Sequence, residues 1–388
     1  MLKSRSFPER IAIIEFDSSH DECFFTQVNA LKKRGCWIVL ITNEVIRNRS
    51  AHLESLVDEW LDIDPEDSNG YRKGLTGTAI GDALIIRRLM RRLKRLKVDK
   101  VIFNTAQGGH VRNACLFSLF RKVEFIGIIH TIRKFQGSFT QKLINLKIKK
   151  YFVLGEFLKE GVISTSPNQQ RVNDGSSAIV LHKGLQLSSF YPVDFPKGIE
   201  ETKDDESIHL VLMGSVETRR KDLDGFVSLV KQCDARVHFH FLGKADPTNS
   251  DVIKLKEALT ENHHLDRVTF YDSFVNPETV DLILRKSHAI LPLIHPDTPS
   301  AEEYFRHQIP GSMSVALGYQ LPLLMHENYK VITELNDASI YYQPGTFSNA
   351  LDELKSRREQ IRDVIQSTEK YTSDYQYQRI LGLIFGEL

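Results

Sequence analysis

Short apolar runs alternate with amphipathic segments along the first half of the chain. The runs are IAIIEF (11–16), WIVLIT (37–42), KVIFNT (100–105), EFIGIIH (124–130), KYFVLG (150–155) and SAIVLH (177–182). The segment between the first two runs, FFTQVNALKKRG (24–35), has a helical pattern that ends at a glycine. Near-continuous apolar runs are typical of strands buried on both faces, and strands separated by helices predict a parallel sheet covered by helices.

A second series of apolar runs follows a linker. Residues 194–206, DFPKGIEETKDDE, contain Pro, Gly and many acids, which is typical of a linker. The runs after it are IHLVLMG (208–214), VHFHFLG (237–243), RVTFYD (267–272), HAILPLI (288–294), LPLLMH (321–326) and ASIYY (338–342). We predict two doubly wound, Rossmann-like α/β domains facing one another across a cleft, 1–195 and 205–367, with an amphipathic tail helix in 368–388 that packs back on the first domain. Ligands of such sheets bind at the carboxyl ends of the strands.

Length and charge support the division into two domains. A chain of 388 residues, 41% hydrophobic and 26% charged, is long enough for two cores. Residues 1–200 contain 31 Lys and Arg against 21 Asp and Glu, whereas the rest contain 20 against 29, which predicts different partners for the two domains. The four cysteines form no CxxC pair, and the start, MLKSRSFPER, lacks an apolar signal region. We therefore expect a cytoplasmic protein without a disulfide framework.

The segment HQIPGSMSVALGYQLPLLMH (307–326) begins a helix with its smallest residues. Pro310 and Gly311 set the entry, Ser312 is the predicted N-cap, and the amides of Met313 and Ser314 are expected to point out of the helix start. A helix N-terminus carries partial positive charge and unpaired N–H donors, which suit a phosphate. An ordinary capped helix without a ligand explains the same letters, and the segment alone does not decide between them.

The segment LMGSVETRRKDLDGF (212–226) places three cations after a predicted strand. The strand ends at Gly214, Ser215 opens the loop, and Arg219, Arg220 and Lys221 precede the next helix. Cations at that edge would neutralise a diphosphate. A solvated basic turn is the alternative. The phosphate interpretation gains support because both segments belong to one predicted domain and lie at carboxyl ends of strands.

Five segments in order resemble the retaining GT-B glycosyltransferases. YFVLGEFLKEGV (151–162) is similar to the element before their interdomain crossing, and LHKGLQLSSFYP (181–192) to the crossing itself, with Gly184, Phe190 and Pro192 in place. MGSVETRRKDLDGF resembles their donor-phosphate loop, VTFYDSFVNPETVDLILRKSHAILPLI their nucleotide-contacting segment, and PGSMSVALGYQLPLL the helix that cradles the diphosphate. The matches span about 180–326, with weaker agreement over 11–160.

The resemblance implies a sugar donor in the second domain and an acceptor in the first. The donor is a UDP- or GDP-linked sugar, held without a metal or other cofactor. Its expected contacts are Gly214, Ser215, Arg220, Lys221, Gly311, Ser312, Met313 and Ser314. His130, at the end of EFIGIIH, is expected to contact the donor sugar or the leaving phosphate. Sugar transfer would proceed with net retention to a glycan or lipid-linked acceptor, as in bacterial surface polysaccharide synthesis.

The chain also departs from the GT-B pattern. Much of that group carries two glutamates around the last helix, and Phe305 and Met313 occupy their positions here. Glu303 is the candidate to substitute for the first. The glycine pair after the first strand is replaced by SSHDE (18–22). These departures favour a rival interpretation, a catalytically inactive GT-B scaffold that acts as a binding or assembly partner; a nucleotide-sugar epimerase is a second rival.

A basic amphipathic segment, LIIRRLMRRLKRLK (84–97), extends the list of expected partners. Ile85, Leu89, Leu93 and Leu96 recur at helical spacing and are expected to pack on the sheet. The cations on the other face favour peripheral contact with an anionic membrane, at its cytoplasmic face. Nucleic acid is not an expected partner, because no aromatic platform accompanies the cations. The Asp-x-Asp of LDIDPED (61–67) is interpreted as a solvated acidic loop, so no metal site is predicted.

Overall fold

The computed structural model describes residues 8–63, 79–135, 138–164, 179–181, 184–195 and 207–386. The chain divides into two compact units. The first unit comprises 1–192 together with 373–388, and the second comprises 193–372. Most of the predicted linker, 196–206, lies outside the described residues.

The first unit is built on an eight-stranded sheet in the order β3-β2-β1-β4-β5-β6-β8-β7. Seven strands are parallel, and β7 pairs antiparallel to β8 at the edge. The strands are β1 (Arg10–Ile14), β2 (Trp37–Thr42), β3 (Glu59–Asp62), β4 (Lys100–Phe103), β5 (Glu124–Ile129), β6 (Lys150–Leu154), β7 (Ile179–Leu181) and β8 (Leu185–Phe190).

The second unit is built on a six-stranded parallel sheet in the order β11-β10-β9-β12-β13-β14. All of its strand pairs are parallel. The strands are β9 (Ile208–Met213), β10 (Val237–Lys244), β11 (Val268–Tyr271), β12 (Ala289–Ile290), β13 (Leu323–His326) and β14 (Ser339–Tyr342). The predicted fold class, two parallel α/β domains, is confirmed.

Helices connect most of the successive strands in both units. Those of the first unit are α1 (Phe24–Lys33), α2 (Glu44–Arg49), α3 (Ala79–Arg95), α4 (Gly108–Phe117), α5 (Ile132–Phe135), α6 (Phe139–Lys147) and α7 (Glu156–Ser164). Those that follow are α8 (Leu223–Lys231), α9 (Ser250–Glu261), α10 (Pro277–Lys286), α11 (Ala301–Arg306), α12 (Gly311–Tyr319), α13 (Phe347–Ser367) and α14 (Ser373–Phe385). No helix in the described part of the chain is both long and apolar enough to cross a membrane.

The cores follow the apolar pattern of the sequence. The central strands are buried along almost their whole length, because helices cover both faces of each sheet. Helix α3 buries Ile85, Leu89 and Leu93 and leaves Arg87 and Arg91 exposed. Helix α14 packs on α1 of the first unit, so the end of the chain returns to the unit in which it began.

Candidate functional site

Polar side chains meet at the carboxyl ends of three adjacent strands in the first unit. Glu15 follows β1, Asn104 and Thr105 follow β4, and His130 follows β5. Asn104 Nδ2 donates to Glu15 Oε2 over 2.9 Å, and the Thr105 hydroxyl donates to the same oxygen over 2.7 Å. Glu15, Asn104 and His130 are all buried. A buried polar network at this edge of a parallel sheet is where ligands bind in such folds.

Two imidazoles stack at this edge. The His20 and His130 rings lie with their centroids 3.6 Å apart and their planes 19° apart. His20 Nδ1 lies 3.3 Å from a carboxylate oxygen of Glu22. His20 also has a left-handed backbone, with φ of 69°, which is uncommon for a residue other than glycine. A strained residue held inside a buried polar cluster is characteristic of functional sites.

His20, Glu22 and His130 differ in their protonation states. Burial and the neighbouring His20 lower the pKa of His130 to about 3, so its ring is neutral at pH 7. Burial opposes ionisation of Glu22, but the hydrogen bond and charge of His20 prevail and lower the pKa of Glu22 to about 2. Burial likewise opposes protonation of His20, yet Glu22 raises the pKa of that imidazole. His20 and Glu22 therefore form an ion pair beside a neutral His130.

The hydrogen bond of His130 fixes its tautomer. Its Nε2 lies 2.7 Å from the carbonyl oxygen of Asn104, which can only accept, so Nε2 carries the proton. Nδ1 is then the atom with the lone pair. A neutral imidazole held this way can accept a hydrogen bond from a hydroxyl group, such as those of a sugar.

His20, Glu22 and His130 also form a set of potential metal ligands. One ligand atom of each lies within 4.8 Å of the other two. Two imidazoles and a carboxylate suit Zn²⁺, and metal-binding histidines usually donate their other N–H to a carbonyl, as His130 does here. A cation would replace the proton that His20 shares with Glu22. The ion pair and the metal are therefore mutually exclusive states of the same three side chains.

Glu15 gives the first unit a pH-dependent stability. Burial raises the pKa of Glu15 to about 7, against smaller opposing effects of its hydrogen bonds to Asp17, Thr105 and Asn104. The folded state thus holds this proton more tightly than the unfolded chain. Stability from Glu15 is fully present below its unfolded pKa of about 4.5 and is lost as the pH rises through 7.

We expect Glu15→Gln to remove this pH dependence. The free energy of unfolding of the variant, relative to that of wild type, should rise by up to about 3 kcal/mol between pH 4.5 and 8. Urea unfolding at intervals of half a pH unit measures the difference, and only its change with pH counts, because the amide alters the hydrogen bonds at every pH. Parallel curves for the two proteins would contradict the raised pKa.

The second unit places the predicted basic loop after β9. Gly214 has φ of 85°, a left-handed conformation that favours glycine, and both Gly214 and Ser215 are exposed. Lys221 is 5% exposed, and its Nζ donates to the carbonyl oxygen of Ser215 over 2.8 Å. Burial lowers the pKa of Lys221 to about 8. The ammonium group therefore lies under the loop and is still protonated at neutral pH.

Arg220 does not project into solvent as an unpaired cation. Its Nε lies 3.2 Å from a carboxylate oxygen of Glu217, and half of its side chain is exposed. Glu217 also lies near Arg219, with 3.7 Å between the ionic atoms. The sequence interpretation overlooked this partner inside the loop. An exposed pair of this kind contributes little to stability, so either arginine can exchange Glu217 for an anionic ligand at small cost.

Hydrogen bonds hold the loop against the segment after β12. The backbone N–H of Asp222 donates to the Leu293 carbonyl, and the Asp222 carboxylate lies 2.6 Å from His295 Nδ1. His295 Nε2 in turn lies 2.8 Å from the Tyr342 hydroxyl. The Arg219 carbonyl accepts hydrogen bonds from both the backbone and the hydroxyl of Ser300. His295 thus positions the basic loop, and sequence analysis missed it because its partners are 73 and 47 residues away.

Gly243 allows the strand beside the loop to approach it closely. A Cβ at Gly243 would come 2.3 Å from the carbonyl carbon of Gly214, which is backbone and cannot rotate away. We expect Gly243→Ala to displace the Gly214 turn and to cost about 1–3 kcal/mol of stability, the usual effect of overpacking. Thermal unfolding measures the loss. Gly345→Ala is the matched control, since a Cβ there meets nothing within 4 Å, and equal effects of the two would contradict the close contact.

Helix α12 begins at the same edge of the sheet as the basic loop. The helix precedes β13 and contacts β9 and β12, which are neighbours in the sheet. Its N-cap is Pro310, so the prediction that Ser312 is the cap is wrong: Ser312 lies inside the first turn and is buried. The Met313 amide donates to the Pro310 carbonyl, which leaves Gly311 and Ser312 as the more open amides.

Ser314 is the unusual member of this helix start. It is 1% exposed, and its hydroxyl has no hydrogen-bond partner among the residues that the structure describes. A buried polar group without a partner costs free energy that a ligand or water recovers by accepting or donating the missing bond. The unpaired hydroxyl together with the first-turn amides is the arrangement expected of a site that takes an anion.

Glu303 lies in the short helix α11, partly exposed. It neighbours Tyr304, a buried residue whose pKa is raised by burial, against smaller opposing effects of the charges of Arg220 and Arg219. Glu303 is therefore near the basic loop of the second unit, whereas His130 belongs to the first unit. His20 and Glu22 are part of the sequence-based interpretation only as members of SSHDE (18–22), the segment that replaces the glycine pair of the GT-B pattern. Their position in the loop that follows a buried strand is the signal that could have marked them.

No protein-family model matches the chain, and no curated protein matches it. Solved structures do match its fold. A glycosyltransferase from Rickettsia africae has a TM-score of 0.62 at 10% identity, covering 99% of this chain and 100% of that one. Anabaena HepE in complex with UDP gives 0.62 at 10%, covering 98% and 100%. The UDP-GlcNAc 2-epimerase of Neisseria meningitidis bound to UDP-GlcNAc gives 0.59 at 12%, covering 97% and 100%. The chain therefore has the GT-B type of fold that glycosyltransferases and UDP-sugar epimerases share.

Proposed function

We propose that the chain is a retaining glycosyltransferase that transfers a sugar from a UDP- or GDP-linked donor to a glycan or lipid-linked acceptor. The fold is one on which solved neighbours bind UDP or UDP-GlcNAc. The observation that carries the proposal is the unpaired, buried Ser314 hydroxyl in the first turn of α12, at the same sheet edge as the Lys221 loop. In this proposal the second unit binds the donor and the first unit binds the acceptor.

The diphosphate is held by the second unit without a metal. Gly214 and Ser215 offer exposed backbone, Gly311 and Ser312 offer first-turn amides, and the ammonium of Lys221 lies behind Ser215. As the sugar leaves, negative charge grows on the diphosphate. Preorganised donors and a desolvated cation stabilise that charge without reorganisation, which is the largest single contribution to catalysis in many enzymes. Arg220 completes the set by releasing Glu217.

His130 is the proposed catalytic residue of the first unit. Its neutral ring accepts a hydrogen bond at Nδ1 from a hydroxyl of the transferred sugar, while Nε2 is fixed by Asn104. Glu303, which lies near the basic loop, is the proposed contact to the sugar from the second unit. The role in surface polysaccharide synthesis, the cytoplasmic location and peripheral membrane contact through 84–97 belong to the same proposal.

Calorimetry with UDP and GDP tests donor binding directly. We expect heat with one nucleotide and a smaller response, or none, with the other. No heat with either would support the rival function, a scaffold that has lost donor binding. If the protein binds a nucleotide, it is next incubated with UDP-GlcNAc and other nucleotide sugars without any acceptor, to detect a reaction of the donor alone.

An epimerase is the second candidate, because solved epimerases match this fold with TM-scores close to those of the glycosyltransferases. It would release an epimerised sugar or nucleotide sugar in the absence of an acceptor. A glycosyltransferase gives at most slow hydrolysis under those conditions and forms a new glycosidic product only when acceptor is added. Mass spectrometry and NMR of the products distinguish the two reactions.

A further inference from the structure

A cavity of about 310 Å³ opens in the first unit at the edge of the sheet opposite to His130. It lies where β4 and β5 begin, whereas Asn104 and His130 follow the ends of these strands. The volume is within the range of small-molecule sites. Its apolar lining consists of Met90, Leu93, Val98, Val101, Val123 and Phe125.

The polar residues of the cavity indicate an anionic occupant. Lys94, Arg121 and Lys122 line it, and no acidic residue does so among those that the structure describes. Arg121 Nη1 donates to the Met90 carbonyl, which fixes the guanidinium at the wall. Lys147 approaches from behind, with its Nζ donating to the Arg121 carbonyl. The lining of the cavity therefore combines buried apolar side chains with cationic side chains.

A buried hydroxyl in the lining has no partner. Ser118 is 1% exposed, and its Oγ forms no hydrogen bond to any residue that the structure describes. Backbone and side-chain donors elsewhere in the fold are mostly paired, so an orphaned group in a cavity wall points to a ligand with its own polar atom. A purely apolar occupant would leave it unsatisfied.

The surface around the cavity is apolar and cationic at once. Phe120 is 98% exposed, and Leu116 and Phe117 on the preceding turn are also exposed. Helix α3, which contributes Met90 and Leu93 to the lining, exposes its arginines on the outside. A ligand free in water has no need of an exposed phenylalanine beside its site. An exposed phenylalanine is expected where a protein binds a bilayer, because aromatic and cationic side chains together bind the interface of an anionic membrane.

We propose that this cavity receives an acyl chain of an anionic phospholipid from a bilayer, with the headgroup at Lys94, Arg121 and Lys122, an ester oxygen at Ser118, and Phe120 inserted beside it. The inference deepens the proposed membrane contact through 84–97 and is independent of donor binding. It assigns the contact to the edge of the sheet away from the candidate catalytic cluster.

Vesicle sedimentation tests the surface. The probes are vesicles of phosphatidylcholine alone and with 30 mol% phosphatidylglycerol. We expect binding to the anionic vesicles, a loss of about fivefold in affinity for each cation removed, and hence about 25-fold for Lys94→Gln with Lys122→Gln. Phe120→Ser should also weaken binding. Lys254→Gln with Lys286→Gln and Phe274→Ser make the same changes at exposed positions of the second unit and should leave binding unchanged.

A soluble lipid tests the cavity itself. Dihexanoyl phosphatidylglycerol, below its micelle concentration, is titrated into wild type and into Val98→Phe, which fills the cavity. We expect saturable heat with wild type and none with the variant, and a weaker response to hexanoate than to the phospholipid. Equal binding by both proteins, or hexanoate binding as tightly as the phospholipid, would overturn the proposal. Circular dichroism and thermal unfolding show that each variant is folded, and UDP affinity, which reports on the second unit, keeps this result separate from that of donor binding.

Discussion

Replacing His130 with alanine is expected to lower kcat by a factor of about 10²–10⁴, the range for a positioned proton-transfer or hydrogen-bonding group. The affinity for UDP should change less than twofold, because the nucleotide is assigned to the second unit. The neutral ring has its Nε2 proton committed to the Asn104 carbonyl. Alanine therefore removes one acceptor for the substrate and leaves the donor-binding residues intact.

The control must separate chemistry from packing. His130 stacks on His20, so its removal also costs stability in the cluster. His52→Ala removes an imidazole from the same unit, before β3, where the ring contacts Phe25. We expect His52→Ala to keep full turnover at temperatures at which both variants are folded by circular dichroism. Full activity of His130→Ala would remove this histidine from the mechanism.

Most of the fold could be predicted from the sequence because its central strands are covered on both faces. Such strands consist of near-continuous apolar letters, as in Ile11–Ile14 and Ile38–Ile41, which are buried throughout. Strand β3, Glu59–Asp62, escaped prediction because it lies at the edge of the sheet and only Leu61 is buried. Strand β12 is only two residues long, although the apolar run there covers seven, because the chain leaves the sheet after Ile290 while staying buried.

Glycine at 318 shows how one letter permits two physical explanations. A glycine near the end of a helical run is typical of a helix terminus. The helix in fact continues to Tyr319 and ends through Gln320 in a left-handed conformation. A Cβ at Gly318 would come 2.5 Å from the Val193 carbonyl oxygen and from the Phe195 ring. The glycine therefore serves a close approach of the chain that enters the second unit, and that contact spans more than a hundred residues.

The candidate site was predictable only one segment at a time. His130 and Lys221 could be proposed because His130 directly follows a recognisable strand and Lys221 lies in the loop after another. The partners that give them their properties could not, since the ring of His20 and the carboxylate of Glu217 act through contacts that depend on the folded loops. The sequence offers Arg219, Arg220 and Lys221 alike as cations that would neutralise a diphosphate, with a solvated basic turn as the alternative. The structure instead gives one buried ammonium and arginines already paired to a carboxylate.

The second large effect is expected for the double variant Arg220→Ala with Lys221→Ala. It should weaken UDP binding by at least about 1.5 kcal/mol, roughly tenfold, because a charge-assisted hydrogen bond contributes about this much. The loss should come mainly from Lys221. Its ammonium is already desolvated, so its attraction to a phosphate is screened little by water, whereas Arg220 must first leave Glu217. Calorimetry at pH 7 measures the difference, and unchanged affinity would remove the phosphate assignment.

The same lysine predicts how UDP binding depends on pH. Burial lowers the pKa of Lys221 to about 8, and a bound diphosphate raises it again, so binding takes up a proton above that pH. The affinity of wild type for UDP should therefore be highest below pH 7.5 and fall between pH 8 and 9.5. The double variant should show no such decline. Lys254→Ala with Lys286→Ala removes two exposed cations from the same unit and should follow the wild-type curve. A decline of equal size in all three proteins would mean that another group titrates, and Lys221 would then have no direct contact with the phosphate.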